Sequence, residues 1–360
     1  MQSTTALRPY RIDVSQHLLS DLRTRLERTR FADQPDSVGP EYGVTVDRVG
    51  RLVDRWLNNF EWRDVEKRLN DHPQFTTDID GHSIHFFRIG DGTSFPLLLT
   101  HGWPGTAIEF VDAIDELSPD FDLVIPSIPG FGFSGPTSEA GWDRVRVARA
   151  WVELMDRLGY RRYGVVGNDA GSLISPEVGR LDPDRVAGVH VTQVFSFPTG
   201  GPAEMEDLDA DDLAALEHLQ RFWETMGAFN VVQSQAPQTL AHALSDSPAG
   251  LLGWMLQLLD GVDDDFVLAN VSAHWLFGTA ASSIRFYRED AATPPAETPT
   301  TVPLGLARFG DDFKSVRRFS ERDHSKIVRW ETYEEGGHYA PHQVPATWAA
   351  DVKAFFVELA

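Results

Sequence analysis

At 360 residues, with 42% hydrophobic and 24% charged residues, the chain has the composition of a globular protein with a large core, sized for two domains or one enlarged α/β unit. Its formal net charge of −22 excludes nucleic acid and anionic membrane as partners, since both need clustered lysine and arginine. It has no cysteine, which excludes disulfides, thiolate metal sites and a thiol nucleophile.

The N-terminal stretch "MQSTTALRPYRIDVSQHLL" has no apolar segment behind its positive charges, and no uncharged run approaches the length of a membrane span. A cytoplasmic protein is the expectation. Residues 11–72 read as amphipathic helices, with apolar residues at three and four spacing in "VSQHLLSDLRTRLERTRF" and again around Val49, Leu52, Val53 and Trp56. Residues 1–80 are accordingly assigned to a helical meander packing on the core. Strands follow: "HSIHFFRIG", the continuous apolar "PLLLTHGWPG", and "FDLVIPSIPGFGFSG". "DRVRVARAWVELMDRLGY" predicts a helix, "RYGVVG" the next strand and "RVAGVHVTQV" one more. Strands alternating with helices predict an α/β fold with a doubly wound, mainly parallel sheet, whose first part spans residues 81–194.

The alternation stops near Phe195. "AEMEDLDADDLAALEHLQRFWETM", "SPAGLLGWMLQLLD" and much of the chain to Arg288 have helical patterning. Residues 195–298 therefore read as an inserted helical lid over the strand C-termini, where ligands bind in such sheets. A buried strand resumes at "TVPLGLARFG", followed by "KIVRWETY" and a closing helix "PATWAADVKAFFVELA", so residues 299–360 complete the core.

The chemistry gathers at strand ends. "RRYGVVGNDAGSLIS" passes from a strand through Gly167-Asn168-Asp169-Ala170-Gly171 into a helix, the layout of a nucleophile elbow with an aspartate at its centre. In this fold class the acid and then the histidine follow in chain order. His338, in the glycine-rich "EEGGHYAPH", is the histidine, and "ARFGDDFK" offers Asp312 and Asp311 as competing acids. The "HGWPG" loop is placed to form an oxyanion hole from the backbone N–H groups of Trp103 and Ala170. An aspartate nucleophile suits an sp3 carbon: it displaces in line, forms an alkyl–enzyme ester, and leaves water activated by His338 to cleave that ester. The leaving group is then a halide or the oxygen of an epoxide, and an epoxide needs a lid acid to catch the alkoxide. A Gly-x-Asp-x-Gly alone is commonly a helix cap, but the ordered acid, histidine and oxyanion loop around it turn the reading to catalysis. Two further patterns lack such context. "GFGFSG" matches a dinucleotide fingerprint although no helix begins in it, and His338 and His342 have zinc-like spacing interrupted by Pro341. Neither cofactor nor metal is expected.

Taken together, these segments resemble the microsomal-type epoxide hydrolases of the α/β-hydrolase fold, nearest the bacterial branch found in actinomycete secondary metabolism. The resemblance is carried by "RTRFAD", "HPQFTTDIDGHSIHF", "HGWPG", "PGFGFSG", "GNDAGS", "PQTLAHALSDSPAGLLGW", "GTAASSIRFYRE" and "GGHYAPH", and covers nearly the whole chain. It implies Asp169 as nucleophile, His338 as base, Asp312 as its orienting acid, and Tyr287 of "RFYRE" as the lid tyrosine that donates to the epoxide oxygen. The chain departs from the family at Phe229, which stands where a second lid tyrosine is expected, and at His274, where a tyrosine often precedes the lid tryptophan. It departs also at Ala170, where a tryptophan often follows the nucleophile, and in lacking the eukaryotic membrane anchor. Trp103, Phe229, His274, Trp275 and Trp223 are the expected substrate-binding residues, with His274 the nearest candidate for a second donor. The implied activity opens a bulky apolar or aromatic, natural-product-like epoxide to a vicinal diol, in secondary metabolism or detoxification. Self-association into a homo-oligomer is compatible with this reading. The alternatives are an epoxide-opening cyclase, a haloalkane dehalogenase and a non-catalytic ligand-binding homologue.

Overall fold

A strand that is apolar on both faces must be covered on both faces, so the runs "PLLLT" and "DLVIP" belong in the middle of a sheet flanked by helices. They lie there in the computed structural model, which describes residues 6–201, 204–206, 208–259, 261–310, 312–357 and 359. The strands are β1 (Arg8–Tyr10), β2 (Gln74–Ile79), β3 (His82–Ile89), β4 (Phe95–Thr100), β5 (Phe121–Pro126), β6 (Tyr163–Gly167), β7 (Val186–Val191), β8 (Leu304–Phe309) and β9 (Ile327–Tyr333). They form one nine-stranded sheet in the order β1-β2-β3-β5-β4-β6-β7-β8-β9. Pairing is antiparallel from β1 to β5 and parallel from β5 through β4 to β9. Leu97, Leu98 and Leu99 of β4 are buried, and each such side chain contributes about 1.5–3 kcal/mol when fully removed from water.

Helices α1 (Gln16–Glu27), α2 (Val46–Asn58) and α3 (Trp62–Asn70) precede the β2–β3 hairpin. Helix α2 shows why they form. Thr45 accepts from the Arg48 N–H as a cap, Asp47 and Arg55 match the dipole at the two ends, and Leu52, Val53 and Trp56 make one buried face. The helical reading of residues 11–72 fails over 28–45, where Pro35, Gly39, Pro40 and Gly43 break the pattern and leave a 3-10 turn at Pro40–Tyr42. The first 80 residues are also not purely helical. β1 pairs with β2, and β2 returns into β3 across a tight turn at Asp80–Gly81, so a boundary at residue 80 cuts a hairpin.

In the core follow α4 (Ile114–Leu117), α5 (Arg144–Arg157) and α6 (Ala170–Leu181). Between β7 and β8 the chain runs through α7 (Ala210–Thr225), α8 (Ala228–Gln235), α9 (Pro237–Asp246), α10 (Pro248–Leu259), α11 (Asp264–Leu276) and α12 (Ala280–Ala291). Helix α13 (Arg317–Asp323) joins β8 to β9, and α14 (Ala340–Gln343) and α15 (Pro345–Val357) close the fold.

The inserted helices are held from two sides. Ser282 Oγ in α12 donates to the Gly130 carbonyl at 2.6 Å, and the Gly132 N–H donates to Thr279 Oγ1 at 3.1 Å, so the "GFGFSG" loop is occupied in anchoring α12. Arg144 and Asp290 add a 2.9 Å ion pair that is mostly buried. From the other side Arg48 and Arg55 of α2 pair with Asp264 and Asp265 at the start of α11. Those pairs are more exposed, and each is worth at most about 1 kcal/mol. Among the described residues no helix is long and apolar enough to cross a membrane.

Candidate active site

The parallel strands end on one edge of the sheet, and the loops after β4, β6, β7, β8 and β9 meet there. After β6 the chain makes a sharp turn. Asp169 has φ +51° and ψ −116°, a conformation that costs of order 1–3 kcal/mol in a residue with a Cβ. The turn closes because its neighbours are glycine: a Cβ on Gly171 would lie 1.8 Å from the Thr100 carbonyl oxygen, and one on Gly102 would lie 2.2 Å from Asp169 Oδ1. Helix α6 begins at the next residue, so the carboxyl stands at a helix N-terminus.

The loop after β4 curls over this carboxyl. The Trp103 N–H donates to Asp169 Oδ1 at 2.9 Å, and the Ala170 N–H acts on the same carboxyl. Oδ2 faces His338 Nε2 at 3.7 Å, too far for a hydrogen bond. His338 Nδ1 bonds Asp312 Oδ1 at 2.8 Å. Asp312 therefore holds the histidine in this structure, while Asp311 lies outside the described residues.

The charges of these groups are interdependent. Burial disfavours a charged His338, but Asp312 and Asp169 outweigh it and raise the imidazole to about 9. Burial likewise works against the Asp312 charge, yet His338 and the Gln193 amide hold that carboxyl below its ordinary value. Burial raises the Asp169 carboxyl against the pull of His338 and the two backbone N–H groups.

The lid contributes an aromatic wall. Phe229 of α8 stacks on the Trp103 indole, with centroids 5.9 Å apart and planes 15° from parallel. Tyr287 of α12 stands edge-on to both rings, at 5.8 Å from each. Burial and the nearby Asp169 charge keep the Tyr287 phenol protonated well above its ordinary range. Three other expected binding residues lie elsewhere. His274 is fully buried behind the oxyanion loop, bonded through Nδ1 to Thr279 Oγ1 at 3.1 Å and facing the backbone of Pro104 and Gly105. It packs edge-on against Phe131 rather than against Tyr287 or Phe229, so it supports the loop and does not stand beside the tyrosine as a second donor. Trp275, one residue on and rotated around α11, turns to α1, where Arg25 lies over its ring at 5.5 Å. Trp223 is 41% exposed on α7 and meets the wall only through Phe222, which touches Phe229.

The geometry adds residues that the sequence reading missed. Gln193, two positions past the end of β7, bonds both Asp169 N–H and Asp312 Oδ2. Glu109 is fully buried under the "HGWPG" loop, and neither of its oxygens completes a hydrogen bond among the described residues. Burial, aided by Asp169, keeps its carboxyl protonated well above the usual range, with His338 and the Asn168 amide acting the other way. Tyr339 is buried beside it, edge-on to the His338 ring at 4.9 Å. The signals were faint: a glutamine closing the apolar "VHVTQVF", and a lone acid in "TAIEF". His342 is occupied elsewhere, bonded to Asp112 at 2.6 Å and stacked on Phe266.

Comparison with known proteins identifies the family. Residues 7–110 match the family described as epoxide hydrolase N terminus, and residues 96–295 match the alpha/beta hydrolase fold family. A "Putative epoxide hydrolase" of Stigmatella aurantiaca is 34% identical over 98% of this chain and 85% of its own length. Epoxide hydrolase 1 of Sus scrofa is 29% identical over 97% of this chain and 88% of its own. Among solved structures, the Aspergillus niger epoxide hydrolase superposes with a TM-score of 0.88 at 28% identity, covering 99% of this chain and 98% of the other. The juvenile hormone epoxide hydrolase of the silkworm Bombyx mori superposes with a TM-score of 0.90 at 26% identity, covering 99% and 96%.

Proposed function

The chain belongs to the epoxide hydrolase family and is an epoxide hydrolase, and from that premise we propose that it works through an ester formed between its substrate and Asp169. The observation that carries this reading is the placement of the carboxylate. In an enzyme with a serine nucleophile the oxyanion hole receives the carbonyl of the substrate. Here the Trp103 N–H is already bonded to Asp169 Oδ1, so the acyl group it serves is that of the enzyme's own side chain.

The steps follow from the two oxygens. Asp169 Oδ2 attacks an epoxide carbon, the ring C–O bond breaks, and the Tyr287 hydroxyl passes its proton to the alkoxide. Water then gives a proton to His338 Nε2 and attacks Asp169 Cγ. The negative charge collects on Oδ1, facing the Trp103 and Ala170 N–H groups. Breaking the bond from Cγ to the former Oδ2 releases the diol, with the histidine returning its proton to the leaving oxygen and the water oxygen left in Asp169. The acid proton left on Asp169 then passes to the Tyr287 phenolate, which restores both groups. Glu109, neutral and buried beside the base, supports a polar seat for that water. No metal or cofactor enters.

The substrate class follows from the wall. Trp103, Phe229, Phe222 and the ring of Tyr287 offer aromatic faces, which suit a bulky apolar or aromatic epoxide, with residues 195–298 acting as the lid that carries three of them. Similarity to juvenile hormone epoxide hydrolases supports an epoxide substrate. The test is a single turnover in oxygen-18 water, with enzyme in excess over a panel of aryl and alkyl epoxides. The label is expected in Asp169 and not in the diol. Label in the diol after one turnover means direct attack by water and ends the ester reading. Conversion of a hydroxy-epoxide to a cyclic ether without label in Asp169 would favour a cyclase.

A further inference from the structure

Strand β7 runs parallel to the nucleophile strand β6 and stops at Val191, so the residues that follow leave the ladder beside the elbow. Gln193 is fully buried there, and both ends of its amide are used. Oε1 accepts from Asp169 N–H at 2.8 Å, from Thr192 Oγ1 at 2.9 Å and from Ser172 Oγ at 3.0 Å. Nε2 donates to Asp312 Oδ2 at 2.5 Å and to Asn168 Oδ1 at 3.0 Å. One side chain thus joins the backbone of the candidate nucleophile to the carboxylate of the candidate acid.

Each end answers a specific need. At φ +51° the Asp169 N–H can enter neither the sheet ladder nor helix α6, and a buried N–H requires an acceptor. At the other end, a carboxylate with one bare oxygen can rotate and offer either oxygen to the histidine. With Oδ2 held by Gln193, Oδ1 stays against His338 Nδ1. A side chain that merely filled this volume would need no amide, and a buried amide left unsatisfied would be a liability.

We propose that Gln193 is a positioning residue that keeps the elbow and the acid–base pair in one register, and that it acts mainly on cleavage of the ester. The inference rests on the ester mechanism proposed above. Alkylation by Asp169 needs the elbow but no base, whereas hydrolysis needs His338 correctly held by Asp312. The two ends of the amide therefore map onto the two half-reactions.

Two variants separate them. Gln193→Glu keeps an acceptor for Asp169 N–H but replaces the donor facing Asp312 with a carboxyl oxygen. Gln193→Met keeps the volume and loses both ends. Rapid-quench intact-mass analysis with styrene oxide follows formation and decay of the adduct. For Gln193→Glu, formation within about threefold of wild type and decay slowed by about tenfold or more are expected. Gln193→Met is expected to slow both steps. Wild-type decay in Gln193→Glu, or an equal loss in both steps, overturns the inference.

Failure of the ester reading looks different: no adduct in wild type or in His338→Gln. A measurement without substrate then decides on Gln193. Titration of His338 by NMR of its ring is expected to give a raised pKa in either variant, because Asp312 loses a donor that shares its charge. Asp169, Glu109 and Tyr339, which also face the ring, are unchanged in both. A wild-type titration in a folded variant, of either kind, overturns the proposal.

Discussion

Two of the histidine–aspartate pairs in this protein have nearly the same hydrogen-bond length and opposite prospects. His338 meets Asp312 at 2.8 Å, and His190 of β7 meets Asp351 of α15 at 2.7 Å. The difference lies around them. Asp351 is shared with Arg329 and Tyr333, and both members of its pair are wholly buried. The remaining nitrogen of His190 has no partner among the described residues. His338 turns its remaining nitrogen to Asp169, is 28% exposed, and borders a groove of about 640 Å³ lined by Gly310, Lys314, Gly337 and Gln343. A histidine–aspartate hydrogen bond is therefore no mark of catalysis by itself. What the second nitrogen faces, and whether water reaches it, decides.

The sharpest way to break this comparison is to remove each aspartate in turn. Asp312→Asn is expected to lower the rate of ester hydrolysis by about 10⁴-fold, through a misoriented imidazole, while the adduct still forms. Mass analysis of the trapped enzyme checks both halves. Asp351→Asn is expected to cost about 3–5 kcal/mol of stability, since Arg329 and His190 are left around a neutral group, with turnover per folded molecule nearly unchanged. Urea unfolding and active-site titration measure the two quantities. If Asp351→Asn abolishes turnover in protein that remains folded, the distal pair is not merely structural.

Tyr287 extends the contrast, because in the proposed mechanism the His338–Asp312 pair works with a proton donor. In the proposed mechanism, with Phe229 in the position where a second hydroxyl would serve, the developing alkoxide falls to Tyr287. Tyr287→Phe is expected to slow alkylation by about a hundredfold, which corresponds to the roughly 2.7–4 kcal/mol of one positioned donor. A wild-type alkylation rate in single-turnover mixing would show that another group activates the epoxide. His274, held against the oxyanion loop, is the control: His274→Gln should disturb stability more than alkylation.

How far the sequence could be read follows the same line between local and non-local causes. The elbow, the oxyanion loop and the histidine loop were legible because each is a short segment whose turn chemistry and chain order are its own signature, as Gly171 against Thr100 illustrates. The strands were legible because β4 and β5 are apolar throughout. The lid contacts were not. Helical periodicity marks His274 and Trp275 as apolar-facing, but only the packing of α11 against α1 and the core decides where each one turns. The roles of Gln193 and Glu109 were hidden for the same reason, since their partners lie 24, 119 or more than 50 positions away in the chain.

The smallest expected effect concerns the charge of His338, and its sign is fixed by the neighbours. Before substrate reacts, Asp312 and Asp169 raise the imidazole to about 9 against the cost of burial, which favours its protonated form. Because the folded value lies above the unfolded one, near 6.5, this group stabilises the fold fully below pH 6.5 and loses that contribution as pH rises through about 9. Thermal unfolding should therefore shift to lower temperature across that window, and less so in Asp312→Asn. Alkylation changes the sum. Esterified Asp169 carries no charge, one of the supporting carboxylates disappears, and the imidazole should release its proton about 1–3 units lower. Under the ester mechanism, the step that creates the need for a base would also free it. The rate of ester decay, measured against pH after a single-turnover pulse, should rise through an apparent pKa well below the one that an NMR titration of the unreacted enzyme gives for the His338 ring. Coincidence of the two values would mean that Asp169 contributes little to the charge of His338, and that the histidine is governed by Asp312 alone.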